Sequence, residues 1–170
     1  AQFHPCWTKG NNFNADYPYV YSYSYMGLYS NALYSYISSW EAPDGQTWAV
    51  MPTLDQDIEL NTLELTFTGY PCYTYDGYCH NLLVGVIDSA AYTPTMSIDT
   101  IAVFNITTEE TKYVSFSGYE GTGKNIIFLA WLDGNSSYAY VAIDDINLHL
   151  LPSCERPDSL TLIDADSSTL

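Results

Sequence analysis

Positive charge is what this sequence has least of: Lys and Arg together number 4 in 170 residues, against 20 Asp and Glu, for a formal net charge of −16. A surface of that sign repels phosphate backbones, anionic lipid and sulfated glycans, which excludes nucleic acid as a partner class. Long apolar runs are also missing. No stretch approaches the roughly 20 residues that a membrane-spanning helix requires, so no membrane insertion is expected. The 3 histidines, His4, His80 and His149, are too scattered to suggest a zinc site, and the 4 cysteines match no CxxC pattern. No Ser sits in a GxSxG elbow. The glycine-rich run from Gly118 to Lys124 (GYEGTGK) lacks the spacing of a phosphate-binding loop.

What the chain has instead is aromatic surface with polar tips: 16% of its residues are aromatic, and 17 are tyrosine. Such rings make contacts that combine apolar area with hydrogen bonds, which leaves neutral sugars, cations and other proteins as partner classes. The length allows one domain, burying roughly 70% of its unfolded surface, with a fragment left over. Cys6, Cys72, Cys79 and Cys154 permit three pairings. Cys72 and Cys79 bracket a short loop, while Cys6 and Cys154 stand at opposite ends of the main domain, where a sandwich with adjacent termini could join them. Disulfides of either kind point to an oxidising, extracytoplasmic compartment, secreted or cell-surface, with any leader peptide already removed.

Apolar residues recur with period 2 from end to end. Residues 26 to 40 can be forced into a helical period through Met26, Tyr29, Leu33, Tyr36 and Trp40, but their Ser, Tyr and Asn content favours strands. The pattern predicts strands near 17–26, 31–38, 46–51, 62–69, 81–88, 98–104, 112–118, 125–133 and 138–150, an all-β sandwich. Turns fall at Pro43-Asp44-Gly45, Asp76-Gly77, Gly121-Thr122-Gly123 and Asp133-Gly134-Asn135. After Leu151 the character changes to PSCERPDSLTLIDADSSTL. The expected organisation is therefore a binding or adhesion module over residues 1–151, with residues 152–170 forming a linker and the start of a following module. Neighbouring domains of the same polypeptide then become partners.

The last strand, YAYVAIDDINL from Tyr138 to Leu148, carries Asp144 and Asp145 side by side. Ile143 and Ile146 lie three apart and can share a face only if the ladder slips at the Asp pair, which predicts a β-bulge. Paired carboxylates beside freed carbonyls suit a structural Ca²⁺, with Asn14 or Asp16 of the early segment as further ligands. The alternative is an Asp pair that caps a turn.

Two tyrosine groups compete as contact surfaces. The loop from Tyr70 to His80 holds Tyr70, Tyr73, Tyr75 and Tyr78 in a segment too short to bury them all, with Asp76 and His80 as polar partners for sugar hydroxyls. A disulfide across it would pre-organise the rings. The other group is YPYVYSYSY, which aligns Tyr17, Tyr19, Tyr21, Tyr23 and Tyr25 on one strand face. Five large rings in a row point to the inter-sheet core, with the Ser-rich face toward solvent; the competing reading is a sugar-stacking ladder. Trp131, within IIFLAWL, reads as core. The alternation of Asp55, Asp57 and Glu59 would gather three carboxylates on a continuous strand, as glycoside hydrolysis needs. DQDIEL lacks the first and last Glu of the ExDxxE arrangement, however, and the phase of Leu60 and Leu63 suggests a turn or bulge between them.

The segments PCW at Pro5 to Trp7, WAVMPTLDQDIELNTLELTF at Trp48 to Phe67, LLVGVID at Leu82 to Asp88 and above all VAIDDINL at Val141 to Leu148 resemble the MAM-like, cleaved-adhesin or "choice-of-anchor J" modules of secreted Bacteroidetes proteins. The resemblance spans residues 1–151. It implies a two-sheet antiparallel jelly roll, often with a structural calcium, that works in adhesion or glycan binding without chemistry of its own. It also implies a fibronectin-III-like repeat beginning at Cys154. The expectation is a non-catalytic, secreted carbohydrate-binding or adhesion module for a neutral polysaccharide or a cell-surface glycan or protein. A structural spacer or anchor domain comes second, and a glycoside hydrolase third.

Overall fold

The period-2 segments form the strands of two facing sheets in the computed structural model, which describes residues 5–23, 28–40, 42–70, 78–79, 81–132 and 137–153. In chain order the strands are β1 (Thr8–Asn11), β2 (Tyr19–Tyr23), β3 (Leu28–Ser38), β4 (Gln46–Val50), β5 (Leu63–Tyr70), β6 (Tyr78–Cys79), β7 (Asn81–Ile87), β8 (Asp99–Asn105), β9 (Glu110–Ser115), β10 (Asn125–Trp131) and β11 (Tyr138–Leu150). Sheet A has the order β1-β4-β10-β7-β8, and sheet B the order β2-β3-β11-β5-β9, all antiparallel; the short β6 runs parallel beside β11. Set aside β1, β2 and β6, and the order β3-β11-β5-β9 faces β4-β10-β7-β8. Most connections cross between sheets, which is the jelly-roll arrangement.

Alternation along each strand fills the space between the sheets. Leu63, Leu65 and Phe67 of β5 and Val141 and Ile143 of β11 meet Leu82, Val84 and Val86 of β7 and Ile126 and Phe128 of β10, all buried in one cluster. Phe67 stands edge-on to Phe128 with ring centroids 5.7 Å apart. Strand β10 is apolar on both sides because sheet A is covered on both. Its alternate residues Ile127 and Leu129 join Trp48, Val50, Ile87 and Tyr92 in a second buried cluster, against which Met96, Ile98 and Trp131 pack. Trp131 is thus half-buried on the outer side of sheet A rather than between the sheets.

The sequence reading did not foresee β1, which has no apolar alternation to show. Its Gly10 lies opposite Trp48, and a Cβ there would come 2.7 Å from the indole, so the missing side chain lets the ring lie across the edge strand. Of residues 26–40, Leu28–Ser38 are strand, in agreement with their composition, and Ser39 and Trp40 form a turn. The bulge also falls where the isoleucine phase requires it. Asp144 pairs with Thr68 and Asn147 with Thr66, one extra residue on β11, and Asp145 takes a positive φ of 51°, which Asp tolerates. Beyond the bulge Ile146 packs on the same cluster as Ile143.

Candidate functional site

Outward-facing residues of sheet B form a field of tyrosines. On β3 the inward set includes Leu33, Ser35 and Ile37, so Tyr34 and Tyr36 point out; on β11 Ala139, Val141 and Ile143 point in, so Tyr138 and Tyr140 point out. On the β2 side Pro18 and Val20 line inter-sheet space, which turns Tyr17, Tyr19 and Tyr21 outward. Ala32 and Ala142 lie fully buried beneath, and Tyr70 at the end of β5, opposite Ala142, closes the cluster. Two alanines in the centre let the larger rings around them lean together.

The rings touch across strands. Tyr17 lies 5.5 Å from Tyr36, and Tyr36 lies 4.9 Å from Tyr140, centroid to centroid. Tyr19 stands 5.4 Å from Tyr21 and 5.6 Å from Tyr34, and Tyr138 lies 6.1 Å from Tyr36. Apart from the buried Tyr34, these side chains are half-buried, held in place and still open to solvent on one side. The approach to β2 is fixed from the other sheet: Lys9 Nζ donates to the carbonyls of Asp16 and Pro18, both at 2.7 Å, and Asn11 Nδ2 to those of Ala15 and Tyr17 at 2.9 and 2.8 Å.

The same geometry corrects the core reading of Tyr17, Tyr19 and Tyr21. The inter-sheet space is already filled by the aliphatic series of β5, β7, β10 and β11, which leaves Pro18 and Val20 to face it. Tyr23 and Tyr25 carry no described side chains. Of the loop candidates, Tyr70 belongs to the field, while Tyr73, Tyr75, Asp76 and His80 lie outside the described residues. Tyr78 is described through its backbone alone, beside Tyr138 in the parallel pairing of β6 with β11. The described ends of the loop, Tyr70 and Tyr78, therefore lie at the border of the tyrosine field. Sequence reasoning missed Tyr34, Tyr36, Tyr138 and Tyr140. The signal was available in β11, where Tyr138 and Tyr140 have opposite parity to Val141 and Ile143, but it becomes a site only when three strands align.

The charges that act on Tyr70 are of one sign. Burial, and then the carboxylates of Glu109, Asp144 and Asp145, push the Tyr70 phenol above its ordinary value of 10.0. Each described lysine is engaged elsewhere: Lys9 on loop carbonyls, Lys112 on Glu110 at 2.5 Å, and Lys124 on the carbonyl of Ile58.

Asp144 and Asn31 face a cavity of about 190 Å³ between the sheet edges, lined otherwise by Trp7, Val20, Leu33, Ile143 and Ile146. Asp144 Oδ1 accepts the Asp145 N–H at 2.9 Å, and Thr68 Oγ1 donates to Asp145 Oδ2 at 3.4 Å. Among the described residues no three His, Cys, Asp or Glu side chains gather as a metal cluster, so an ion here would need amide and backbone oxygens beside Asp144 and Asp145. Asn14 and Asp16 do not join them. Phe13 packs on the cluster of Ile37, Ala42, Leu132 and Ala139, which sets that loop near Ala139 of β11, five residues from Asp144 and roughly 16 Å along the strand. Asp55, Asp57 and Glu59 are exposed on a turn closed by the Ile58 N–H to the Asp55 carbonyl, so they share no strand face. Cys6 is exposed, and Cys72 and Cys154 lie outside the described residues.

The chain is similar in fold to the K3 cleaved adhesin domain of Lys-gingipain from Porphyromonas gingivalis, at 12% identity over 86% of this chain and 92% of that one, with a TM-score of 0.50. Weaker likenesses are to an F5/8 type C domain from Bacteroides fragilis, at 12% identity over 81% and 89% with a TM-score of 0.41, and to a CBM4 domain, at 15% identity over 86% and 95% with a TM-score of 0.40. The first of these likenesses shows a shared β-sandwich. No protein-family model and no curated protein sequence matches the chain.

Proposed function

We propose that this domain is a non-catalytic, extracytoplasmic carbohydrate-binding or adhesion module, and that its contact surface is the tyrosine field of sheet B. The observation that carries the reading is the outward row Tyr17, Tyr36 and Tyr140, whose half-buried rings follow one another at 5.5 and 4.9 Å on a face that no described segment covers. A neutral glycan suits it, because half-buried phenols offer apolar ring edges and hydroxyls together, while the surrounding carboxylates repel polyanions. The loop residues Tyr73, Tyr75, Asp76, Tyr78 and His80 are proposed to extend the same surface from Tyr70. MAM-like or choice-of-anchor J kinship is compatible with this fold and this role.

Affinity electrophoresis through gels holding neutral polysaccharides, such as hydroxyethyl cellulose, xyloglucan, galactomannan and arabinogalactan, tests the reading. Retardation by at least one, lost on Tyr36→Ala and insensitive to 0.5 M NaCl at this net charge, is the expected result. Unretarded wild type in every gel hands the domain to the spacer reading. Release of reducing sugar from the retarding polysaccharide would restore the hydrolase reading.

A structural Ca²⁺ at the bulge, held by Asp144 and Asp145 with Asn31 beside them, is the second part of the proposal. An ion bound by the folded state alone stabilises it by mass action, so excess chelator is expected to lower the melting temperature, and Asp144→Asn to reproduce the loss. An unchanged melting curve in chelator, with no metal by elemental analysis, removes the site.

A further inference from the structure

Trp40 is the most exposed large hydrophobic residue of the described chain, at 85%. It sits on a turn that is tied on both sides. The Ala42 N–H donates to the Ser38 carbonyl at 2.8 Å, and the Ser39 N–H to the Ser137 carbonyl at 2.9 Å. The second bond joins the turn to the residue preceding Tyr138, at the end of the tyrosine field. An indole so exposed gains nothing from the fold, and a fixed backbone lowers the entropy cost of using it as a contact. From the level of Tyr21 and Ala32 to that of Ser38 and Tyr138, β3 advances six residues, about 20 Å at the usual rise. One or two sugar rings cannot reach from end to end of such a surface.

We infer that the ligand is the interior of an extended neutral polysaccharide chain lying along the field, with Trp40 as its end contact, so that affinity grows with chain length until the chain reaches Trp40. The inference rests on the carbohydrate reading of the tyrosine field and adds to it a binding residue and a ligand class.

The test is titration calorimetry of wild type, Trp40→Ala and Tyr36→Ala with cello-, xylo- and manno-oligosaccharides, each as disaccharide and hexasaccharide, alongside the four polysaccharide gels. Folding of each variant is checked by circular dichroism. Wild type is expected to hold one hexasaccharide series at least tenfold more tightly than its disaccharide. Trp40→Ala should lose about tenfold on the hexasaccharide and little on the disaccharide, and Tyr36→Ala should lose on both. Hexasaccharide affinity unchanged in Trp40→Ala but reduced in Tyr36→Ala overturns the role of Trp40 and leaves the tyrosine field standing. Equal affinity for the two lengths overturns the extended-chain inference. Wild type that binds no oligosaccharide and is retarded in no gel overturns this inference and the carbohydrate reading together.

Discussion

The two sheets carry aromatic and aliphatic side chains on their outer faces, and among the described residues a segment of the chain covers only that of sheet A. Over sheet A the segment 88–98 folds back, placing Tyr92 edge-on to Trp48 at 5.1 Å and Met96 and Ile98 over the outward residues of β4, β7 and β10. The approach is close enough that a Cβ on Gly85 would come 2.3 Å from Ile98. Over sheet B no described segment does the same, and where sheet A presents Trp, Ile and Leu, sheet B presents tyrosine. The covered face is built mainly from Trp, Ile, Leu and Val, the face of sheet B from tyrosine rings that tolerate water at one end. Aromatic area that no described segment covers is what the proposed contact surface requires, whereas the area under segment 88–98 forms a second core.

Removing the indole under the cover is the strongest way to break this comparison. Trp48→Ala should cost about 3–5 kcal/mol of stability, read by urea denaturation, since it empties a buried site. A loss no larger than that of an exposed residue would mean the cover is not core. Gly85→Val comes next, at about 1–3 kcal/mol, because the added Cβ meets the Asp99 carbonyl at 2.9 Å as well as Ile98 and must lift the segment. On the open face, Tyr19→Ala should cost about 1 kcal/mol in stability while weakening ligand binding by about 1–3 kcal/mol. A cost equal to that of Trp48→Ala would turn the open face into core.

The smallest effect concerns titration. Burial alone raises the Tyr92 phenol above 10.0, whereas the rise at Tyr70 adds the carboxylates of Glu109, Asp144 and Asp145 to burial. In both cases the unfolded chain ionises first, so the stabilisation is complete below the ordinary tyrosine value and is lost as pH rises through the higher folded one. Screening at 1 M salt should bring the Tyr70 midpoint partway down and leave that of Tyr92 in place. Ultraviolet difference titration of wild type against Tyr70→Phe and Tyr92→Phe separates the two; equal salt shifts would remove the carboxylates from the account.

Strand content, the all-β class and the bulge were legible because each depends on the order of neighbouring residues along one strand. Ile143 and Ile146 cannot share a face without a slip, and that constraint is written in their spacing. The break between Leu60 and Leu63 was legible for the same reason, through their phase, and a 3-10 turn at Leu60–Thr62 fills it. The scarcity of basic side chains, 4 against 20 acidic ones, needed no fold to argue against polyanionic partners. Which face of a strand lies inside is a different kind of fact. Tyr17, Tyr19 and Tyr21 alternate with Pro18 and Val20 whichever way β2 is turned, and the answer came from the space that β5, β7, β10 and β11 had already filled. Tertiary structure alone aligned those tyrosines with Tyr34, Tyr36, Tyr138 and Tyr140 on adjacent strands, and carried Asn14 and Asp16 away from Asp144. Local sequence sets what a strand can present; the packing of distant strands decides what it presents and to whom.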